Sequence, residues 1–286
     1  MNNKKPRYNE VVFTSEEEEK IVNMYTVDKC STVKIGKAFN VSHKKIARVL
    51  DKYGIERIGN GRRKYNLNEN YFDSIDTPNK AYILGFLYAD GCNCSTKQTI
   101  SMSLQEDDKE ILEKIRLEIG NEHPLEFIDY SNKNDFGYTY KNQYRLLMFS
   151  SHMCTRLSEI GMVPSKSLVL NFPDIPSHLY SHFIRGYFDG DVSISFNKTN
   201  AIFSLTSTES FCIHVKNFLE NMLSIHMYIT DASNKNGTTK VLSTSGNIQV
   251  KKLMDYLYRD ADLYMERKYL KYRNKYYLTD DKEAVA

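Results

Sequence analysis

182-HFIRGYFDGDVSIS-195 is an apolar segment that is followed by two acids and then by alternating polar and apolar residues. The apolar part predicts a helix that ends near Asp189 and Asp191, and the alternation predicts a strand. The free backbone carbonyls at the end of a helix carry partial negative charge, so a carboxylate is unfavourable there by itself. The same pattern recurs in 81-AYILGFLYADGCN-93, which indicates that the two segments have a shared role.

Both segments belong to an internal repeat of the chain. Asp191 follows Asp90 by 101 residues, and a strand, a helix, a polar turn and a lysine follow each acid in the same order. The paired segments are 101–105 with 202–206, 107–120 with 209–223, 131–135 with 233–237, and Lys166 with Lys268. Each half therefore reads α-β-β-α-β-β-α. This order predicts an α+β fold in which helices cover one face of antiparallel sheets.

Small residues lie four positions apart in both acid-ending helices. They are Gly85 and Ala89 in the first helix, and Gly186 and Gly190 in the second. A stripe of small residues lets two helix backbones approach closely, and this packing argument does not require lipid. We therefore expect the two helices to cross at these positions.

Such a crossing would place Asp90 and Asp191 side by side at two negative helix ends. Neighbouring carboxylates repel each other, and they can respond by binding a proton or a cation. Hard divalent cations prefer carboxylate and carbonyl oxygen as ligands. Magnesium held there could activate water and neutralise a phosphodiester.

The segments 83-ILGFLYADG-91 and 184-IRGYFDGDV-192 resemble the two motifs of LAGLIDADG homing endonucleases of the single-chain, double-motif type. The resemblance covers about residues 71–275. It implies two pseudo-symmetric repeats, 71–168 and 169–286, which pack through the motif helices. It also implies a hydrolase that cuts both strands of a long, specific DNA site across the minor groove, using one Asp from each repeat to bind metal. Such a gene is typical of a mobile intron or intein.

The resemblance also implies roles for individual residues. Mg²⁺ would be the cofactor, with Mn²⁺ and similar divalent cations able to substitute. The implied metal ligands are Asp90 and Asp191, with the carbonyls of Ala89 and Gly190, and the implied catalytic residues are these two acids with Lys166, Lys268 and Gln105. The lysines would polarise solvent or stabilise the transition state, and Gln105 would position water.

The chain departs from the family motifs at two positions. Tyr88 replaces the first acid of the first motif, whereas Asp189 keeps it in the second; we expect this change to affect packing or a local cap. Val192 replaces the final glycine of the second motif, and a β-branched residue resists a positive φ. Either this position never needs a left-handed conformation, or the junction is strained and the enzyme is weakened.

The repeat strands should carry DNA recognition on their polar faces. In 191-DVSISFNKTN-200, alternation places Asp191 and three polar residues on one face and apolar residues on the other. The candidate DNA-binding residues in the repeats are Ser101, Ser103, Tyr140, Gln143, Arg145, Ser193, Ser195, Asn197, Lys198, Thr230 and Lys240.

The N-terminal part is basic and predicts a separate DNA-binding domain over residues 1–58. Residues 1–65 contain 15 Lys and Arg against 8 Asp and Glu, a net charge of +7, whereas the remainder has 24 against 28. A short helix at 31–40, a tight turn and a capped basic helix at 41–55 are typical of a helix-turn-helix. Ser15 and Ser42 are the expected N-caps. The alternative is a three-helix bundle with a solvated basic face. The candidate DNA contacts are Ser42, His43, Lys44, Lys45 and Arg48, with Arg62, Arg63 and Lys64 in a basic linker at 59–70.

Composition narrows the remaining possibilities. The chain has no apolar run of membrane-spanning length and no apolar stretch typical of a signal peptide, and its five cysteines do not suggest a disulfide framework. We expect a cytoplasmic monomer, in a bacterium or a phage-infected cell. The alternative function is a transcriptional regulator or an RNA-splicing maturase that has lost cleavage. The presence of both acids and both lysines favours the nuclease.

Overall fold

The computed structural model describes residues 12–57, 65–131, 134–135, 138–163, 166–197, 200–232 and 239–278. The chain divides into two compact units, Met1–Leu67 and Asn68–Ala286. The predicted DNA contacts Arg62, Arg63, Lys64 and Lys198 lie outside the described residues.

The first unit contains three helices among its described residues: α1 Ser15–Thr26, α2 Thr32–Ala38 and α3 His43–Lys52. Their apolar faces meet in one core that includes Ile21, Ile35, Ile46 and Leu50. The turn between α2 and α3 is tight, since a Cβ added to Gly36 would lie 2.7 Å from the Val41 carbonyl oxygen. Asn40 in this turn has a φ of 52°, a left-handed conformation that asparagine tolerates.

The caps of this unit differ in part from those expected. Ser15 is wrong as the N-cap of α1, because Thr14 holds that position and forms a capping box with Glu17. Thr14 is extended and its hydroxyl accepts from the Glu17 amide, whereas Ser15 is the first helical residue. Ser42 is the N-cap residue of α3, but its side chain makes no capping hydrogen bond.

The second unit has the element order predicted for two repeats. The first repeat contains α4 Pro78–Asp90, β1 Gly91–Cys94, β2 Thr99–Gln105, α5 Lys109–Glu118, β3 Glu126–Ile128, β6 Gln143–Phe149 and α6 Ser151–Ile160, with a small hairpin of β4 Asn134–Asp135 and β5 Tyr138–Thr139. The second contains α7 Tyr180–Asp191, β7 Ser193–Phe196, β8 Ala201–Ser207, α8 Glu209–Leu223, β9 Tyr228–Asp231, β10 Lys240–Ser245 and α9 Asn247–Tyr258, followed by α10 Glu266–Tyr276. The α+β fold of two repeats is confirmed.

Each repeat builds one antiparallel sheet, with strand order β1-β2-β6-β3 in the first and β7-β8-β10-β9 in the second. The two orders are equivalent, strand for strand. Burial alternates along β2 and β8, so each sheet has one buried face and one more open face. Burying each large apolar side chain on the inner face stabilises the fold by about 1.5–3 kcal/mol.

The motif helices α4 and α7 pack against each other at their glycines, as the small-residue stripes predict. A Cβ added to Gly85 would lie 2.0 Å from the Phe183 carbonyl oxygen, and one added to Gly186 would lie 1.9 Å from the Tyr82 carbonyl oxygen. No side chain fits at those distances. The two helices therefore meet backbone to backbone, and both acid-bearing ends are fixed by this crossing.

Both helix-to-strand junctions are extended. Gly91 has φ −77° and ψ 150°, and Val192 has φ −100° and ψ 138°. The position of Val192 therefore never needs a left-handed conformation, and a β-branched residue fits it without backbone strain. Val192 is also buried, so its side chain contributes to the core.

Among the described residues, no helix combines the length and the apolar character that a membrane crossing requires.

Candidate active site

The candidate site lies where α4 and α7 end. Asp90 and Asp191 are the last residues of their helices, and both are exposed to solvent. A Cβ added to Gly190 would lie 3.5 Å from Asp90 Oδ2 and 2.3 Å from the Cβ of Ala89. Each helix end thus touches the small residue that precedes the acid of the other helix.

Two clefts open at these ends. The larger cleft, of about 440 Å³, contains Asp90 together with Gly190. The smaller cleft, of about 120 Å³, contains Asp191 together with Ala89. The structure therefore brings the four predicted metal ligands into two sets, and each set has one carboxylate and one residue of the opposite helix.

The electrostatics of the acids follow from this geometry. Desolvation, and then the negative charge of Asp191, raise the pKa of the Asp90 carboxyl above its usual range. Desolvation also raises the pKa of Asp191, and the charges of Lys268 and Lys166 partly offset that effect. Two carboxylates that both resist ionisation favour the binding of a cation.

Both predicted lysines bind the helix ends. Lys166 Nζ donates to the carbonyl oxygens of Ala89, at 3.2 Å, and Gly91, at 2.6 Å. Lys268 Nζ donates to the carbonyl oxygens of Phe188, at 2.6 Å, and Val192, at 3.0 Å. The ammonium groups therefore neutralise the negative ends of α4 and α7. Desolvation lowers the pKa of both lysines, that of Lys268 to about 8.

The remaining predicted catalytic residue, Gln105, lines the larger cleft with Asp90. It ends β2, and its partner in the strand register is Gln143, another predicted site residue on the same cleft. Thr206 is the counterpart of Gln105 in the second repeat, and it lines the smaller cleft with Asp191.

Most of the predicted DNA-binding residues of the repeats lie on the more open faces of the sheets. Lys240 does not, because it pairs with the buried Ser207 and lies on the same side of β10 as the buried Leu242. Tyr140 follows β5 and belongs to no strand. Ser193, Ser195 and Asn197 are exposed, and the intervening residues of β7 are more buried. The others are Ser101 and Ser103 on β2, Gln143 and Arg145 on β6, Thr230 on β9, Lys240 on β10 and the exposed Tyr140. Arg145 Nε donates to Ser103 Oγ at 3.1 Å, and Lys240 pairs with Asp231 at 2.6 Å.

The clefts also contain residues that the sequence did not single out: Asp107, Asp108, Lys141 and Arg267 in the larger, and Tyr187, Ser207 and Thr239 in the smaller.

In the N-terminal unit, the predicted contacts form the start and outer face of α3. His43, Lys44 and Arg48 are exposed, whereas Ser42 and Lys45 are half-buried. Lys45 Nζ lies 5.6 Å from the centre of the Phe13 ring.

The structure explains why Tyr88 can stand at the position where the second repeat has Asp189. Tyr88 is buried and its hydroxyl donates to the Ile160 carbonyl oxygen at 2.6 Å, which ties α4 to α6. Asp189, its counterpart, is fully buried and accepts from the Tyr82 hydroxyl and the Met265 amide, both at 2.8 Å. Asp189 therefore accepts from the N-cap residue of α10 and from a residue of α4, which connects these two helices. The change at Tyr88 was expected to affect packing or a local cap; Tyr88 packs between helices, and the acid at the equivalent position accepts from the N-cap residue of α10.

The Asp189 carboxyl predicts a pH dependence of stability. Desolvation raises its pKa from 3.8 to about 6, although the amide of Met265 and the charge of Lys268 oppose that effect. Since the folded state holds the proton more tightly than the unfolded chain, the free energy of unfolding should fall as the pH rises from about 4 to about 6. Asp189→Asn should remove a fall on the order of 3 kcal/mol. Urea unfolding of both proteins across this range measures it, with the exposed Asp174→Asn as control. Parallel curves for Asp189→Asn and the native chain would contradict the assignment.

Comparisons with known proteins give the following. No family model matches, and no curated protein matches significantly. Among solved structures, the meganuclease I-SmaMI bound to uncleavable DNA is 11% identical over 69% of this chain and 88% of that chain, with a TM-score of 0.45. LAGLIDADG homing endonuclease I-GzeII in complex with its DNA target is 12% identical over 73% and 93%, with a TM-score of 0.45. Full-length DUF199/WhiA from Thermatoga maritima is 14% identical over 75% and 65%, also at 0.45. At these identities and TM-scores, the likeness assigns neither a family nor an activity to this chain.

Proposed function

We propose that this chain is a metal-dependent, site-specific endonuclease that hydrolyses both strands of duplex DNA. One observation carries the proposal. Two acids end two abutting helices, and each acid shares a cleft with the small residue that precedes the other acid. Duplicated acids at the centre of two equivalent sheets match a substrate with two equivalent strands.

The residues at the helix ends fit a hard divalent cation such as Mg²⁺. Among the described residues there is no group of three or more His, Cys, Asp and Glu that could hold a metal. Mg²⁺ commonly combines one or two carboxylates with water and substrate phosphate oxygens, so two acids suit it as protein ligands. Asp90 and Asp191 would hold it, with the carbonyls of Ala89 and Gly190. When bound, Mg²⁺ would polarise a phosphate oxygen and neutralise charge in the transition state.

The chain's own groups position the reactants. In each strand, a water molecule gives up a proton as its oxygen forms a bond to phosphorus, one phosphorus–oxygen ester bond breaks, and the leaving oxygen takes up a proton. Gln105 and Thr206, which lie with the acids in the two clefts, would orient water by hydrogen bonding. Lys166 and Lys268 hold the helix ends and keep the negative potential near the acids low enough for DNA to approach.

DNA recognition is proposed for the open faces of the two sheets and for α3. The sheets present short polar side chains, which can reach base edges in a groove. The exposed basic residues of α3 would contact phosphates or bases beside the main site and lengthen the footprint.

Substitution of the α3 cations tests the role of the N-terminal unit. Lys44→Ala and Arg48→Ala should each weaken DNA binding. Each should also make the slope of log K against log salt concentration shallower by about 1, since each removes one cation from the interface. Fluorescence anisotropy over a range of salt concentrations measures both effects. Lys20→Ala, at an exposed position of α1, should leave the slope unchanged. Equal slopes for all four proteins would exclude α3 from the DNA interface.

The function itself is tested on duplexes that the protein selects from a randomised library. Magnesium should lead to cutting of both strands of the selected duplex, whereas EDTA should permit binding only. Binding with no cutting in magnesium or manganese would reject the nuclease and favour a DNA-binding regulator.

A further inference from the structure

The two clefts at the candidate active site are unequal. The Asp90 cleft is larger, at about 440 Å³ against about 120 Å³, and its lining includes the cations Lys141 and Arg267. The described lining of the Asp191 cleft includes one cation, Lys166, whose ammonium binds backbone carbonyls. Asp90 and Asp191 are equivalent in the repeat, but the other charged residues that the structure places on the two clefts differ: the larger also contains Asp107 and Asp108.

Arg267 is held in a fixed orientation. Its Nε donates to Asp108 Oδ1 at 3.1 Å and its Nη2 to Asp108 Oδ2 at 2.9 Å, a bidentate pair. The Asp108 side chain is only 7% exposed, whereas that of Arg267 is 50% exposed. The buried Asp108 carboxylate thus accepts hydrogen bonds along one edge of the guanidinium, and the exposed part of the Arg267 side chain lines the cleft. Hydrogen bonding to Asp108 also raises the pKa of Arg267, so the group stays cationic.

This pair joins the two repeats. Asp108 precedes α5 in the first repeat, and Arg267 lies on α10 in the second. The Arg267-Lys268 pair aligns in the repeat with Ser165-Lys166, so the first repeat supplies no equivalent arginine to the opposite cleft. The difference between the two repeats at this position is thus visible in the sequence as well as in the two clefts.

The chemistry of this arrangement fits a phosphate. A guanidinium is a planar fork of donors that suits phosphate oxygens, and a pre-oriented one needs little reorganisation as charge develops. Lys141, on the same cleft, pairs with Asp107 at 2.8 Å, but both side chains are more than 60% exposed. Such an exposed pair is weak, and a phosphate can replace the carboxylate.

We propose that Arg267, oriented by Asp108, binds the scissile phosphate in the Asp90 cleft and accelerates cutting there, so that this strand is cut faster than the other and is cut first. The inference rests on the proposed nuclease function. It adds an unequal division of roles between the two clefts: Arg267 would bind phosphate in the larger, and the described residues that line the smaller include no arginine.

Strand-resolved kinetics test the order. The library-selected duplex carries a different dye on each strand, and single-turnover cutting is followed in magnesium. The native protein should accumulate one nicked product. Arg267→Ala should slow that first strand by about 10²-fold and leave the rate of the other strand unchanged. Arg267→Lys, which keeps the charge but not the fork, should be intermediate. Arg259→Ala, an exposed cation that lines neither cleft, is the matched control.

Binding in EDTA provides a second readout that does not depend on metal or cutting. Arg267→Ala should reduce the salt slope by about 1, as expected for one lost phosphate contact. Simultaneous cutting of both strands by the native protein would overturn the proposed order. Equal slowing of both strands in Arg267→Ala, with a lowered melting temperature and an unchanged salt slope, would make Arg267 a structural link only. Binding of the selected duplex without cutting of either strand would overturn the nuclease function, and this inference with it.

Discussion

Asp90→Asn and Asp191→Asn should each lower the rate of DNA cutting by at least about 10³-fold, which corresponds to about 4 kcal/mol of transition-state stabilisation. Each substitution replaces a charged oxygen ligand with a neutral amide of the same shape. The binding of DNA in EDTA should persist, because the sheet faces and α3 are unchanged. Single-turnover cutting of the selected duplex measures the loss, and Asp260→Asn, at an exposed position outside both clefts, is the control.

Asp90→Asn should also stabilise the folded chain. The pKa of the Asp90 carboxyl is raised by desolvation and by the charge of Asp191, so its ionised form is disfavoured in the folded state at neutral pH. The asparagine carries no charge and avoids this cost. A higher melting temperature together with lost cutting is the expected result. Retained cutting would remove Asp90 from the site, and a lowered melting temperature would contradict the repulsion between the acids.

Gly186→Ala should destabilise the second unit by more than about 3 kcal/mol. Helix propensity alone predicts the opposite, since alanine in a helix interior is favoured over glycine by roughly 0.5–1 kcal/mol. Packing decides the sign, because the new Cβ would lie 1.9 Å from the Tyr82 carbonyl oxygen. The atom it meets is backbone, so α4 and α7 must separate, and overpacking of this kind exceeds the usual 1–3 kcal/mol.

Urea unfolding measures the effect of Gly186→Ala. Gly85→Ala makes the reciprocal clash, with its Cβ 2.0 Å from the Phe183 carbonyl oxygen, and should cost a similar amount. Asn217→Ala, at an exposed position of α8, is a control for helix propensity. If the Gly186→Ala protein were as stable as the native chain, the close crossing of the motif helices would be contradicted.

The repeat made most of the fold predictable from the sequence. Strand alternation, helix periodicity and the glycine spacing are local sequence patterns, and the duplication supplied an internal check on the elements that the two repeats share. The caps were less predictable. Thr14 and Ser15 are both suitable N-caps, and the capping box with Glu17 decides between them only in three dimensions.

The candidate site was predictable only where the repeat marked it. Both acids, both lysines and Gln105 occupy repeated positions, and the structure places these residues at the helix ends or along the clefts. The Arg267–Asp108 pair was missed because Arg267 aligns with a serine, Ser165, and the two residues are 159 positions apart. Asp108 lies three residues after Gln105, but nothing local indicates that an arginine from the other repeat lies against it.

The Tyr82–Asp189 hydrogen bond makes the two halves non-interchangeable. The counterpart of Tyr82 in the second repeat is Phe183, and the counterpart of Asp189 in the first is Tyr88. If two copies of the second repeat paired, each buried Asp189 would face a phenylalanine and lose the Tyr82 donor, while the donors Tyr258 and Met265 would remain. Losing one hydrogen bond to a buried polar group costs about 1–3 kcal/mol, and more for a charged group. Two copies of the first repeat would bring two tyrosines together. A single polar contact across the crossing therefore selects the correct partner and disfavours self-association of like halves.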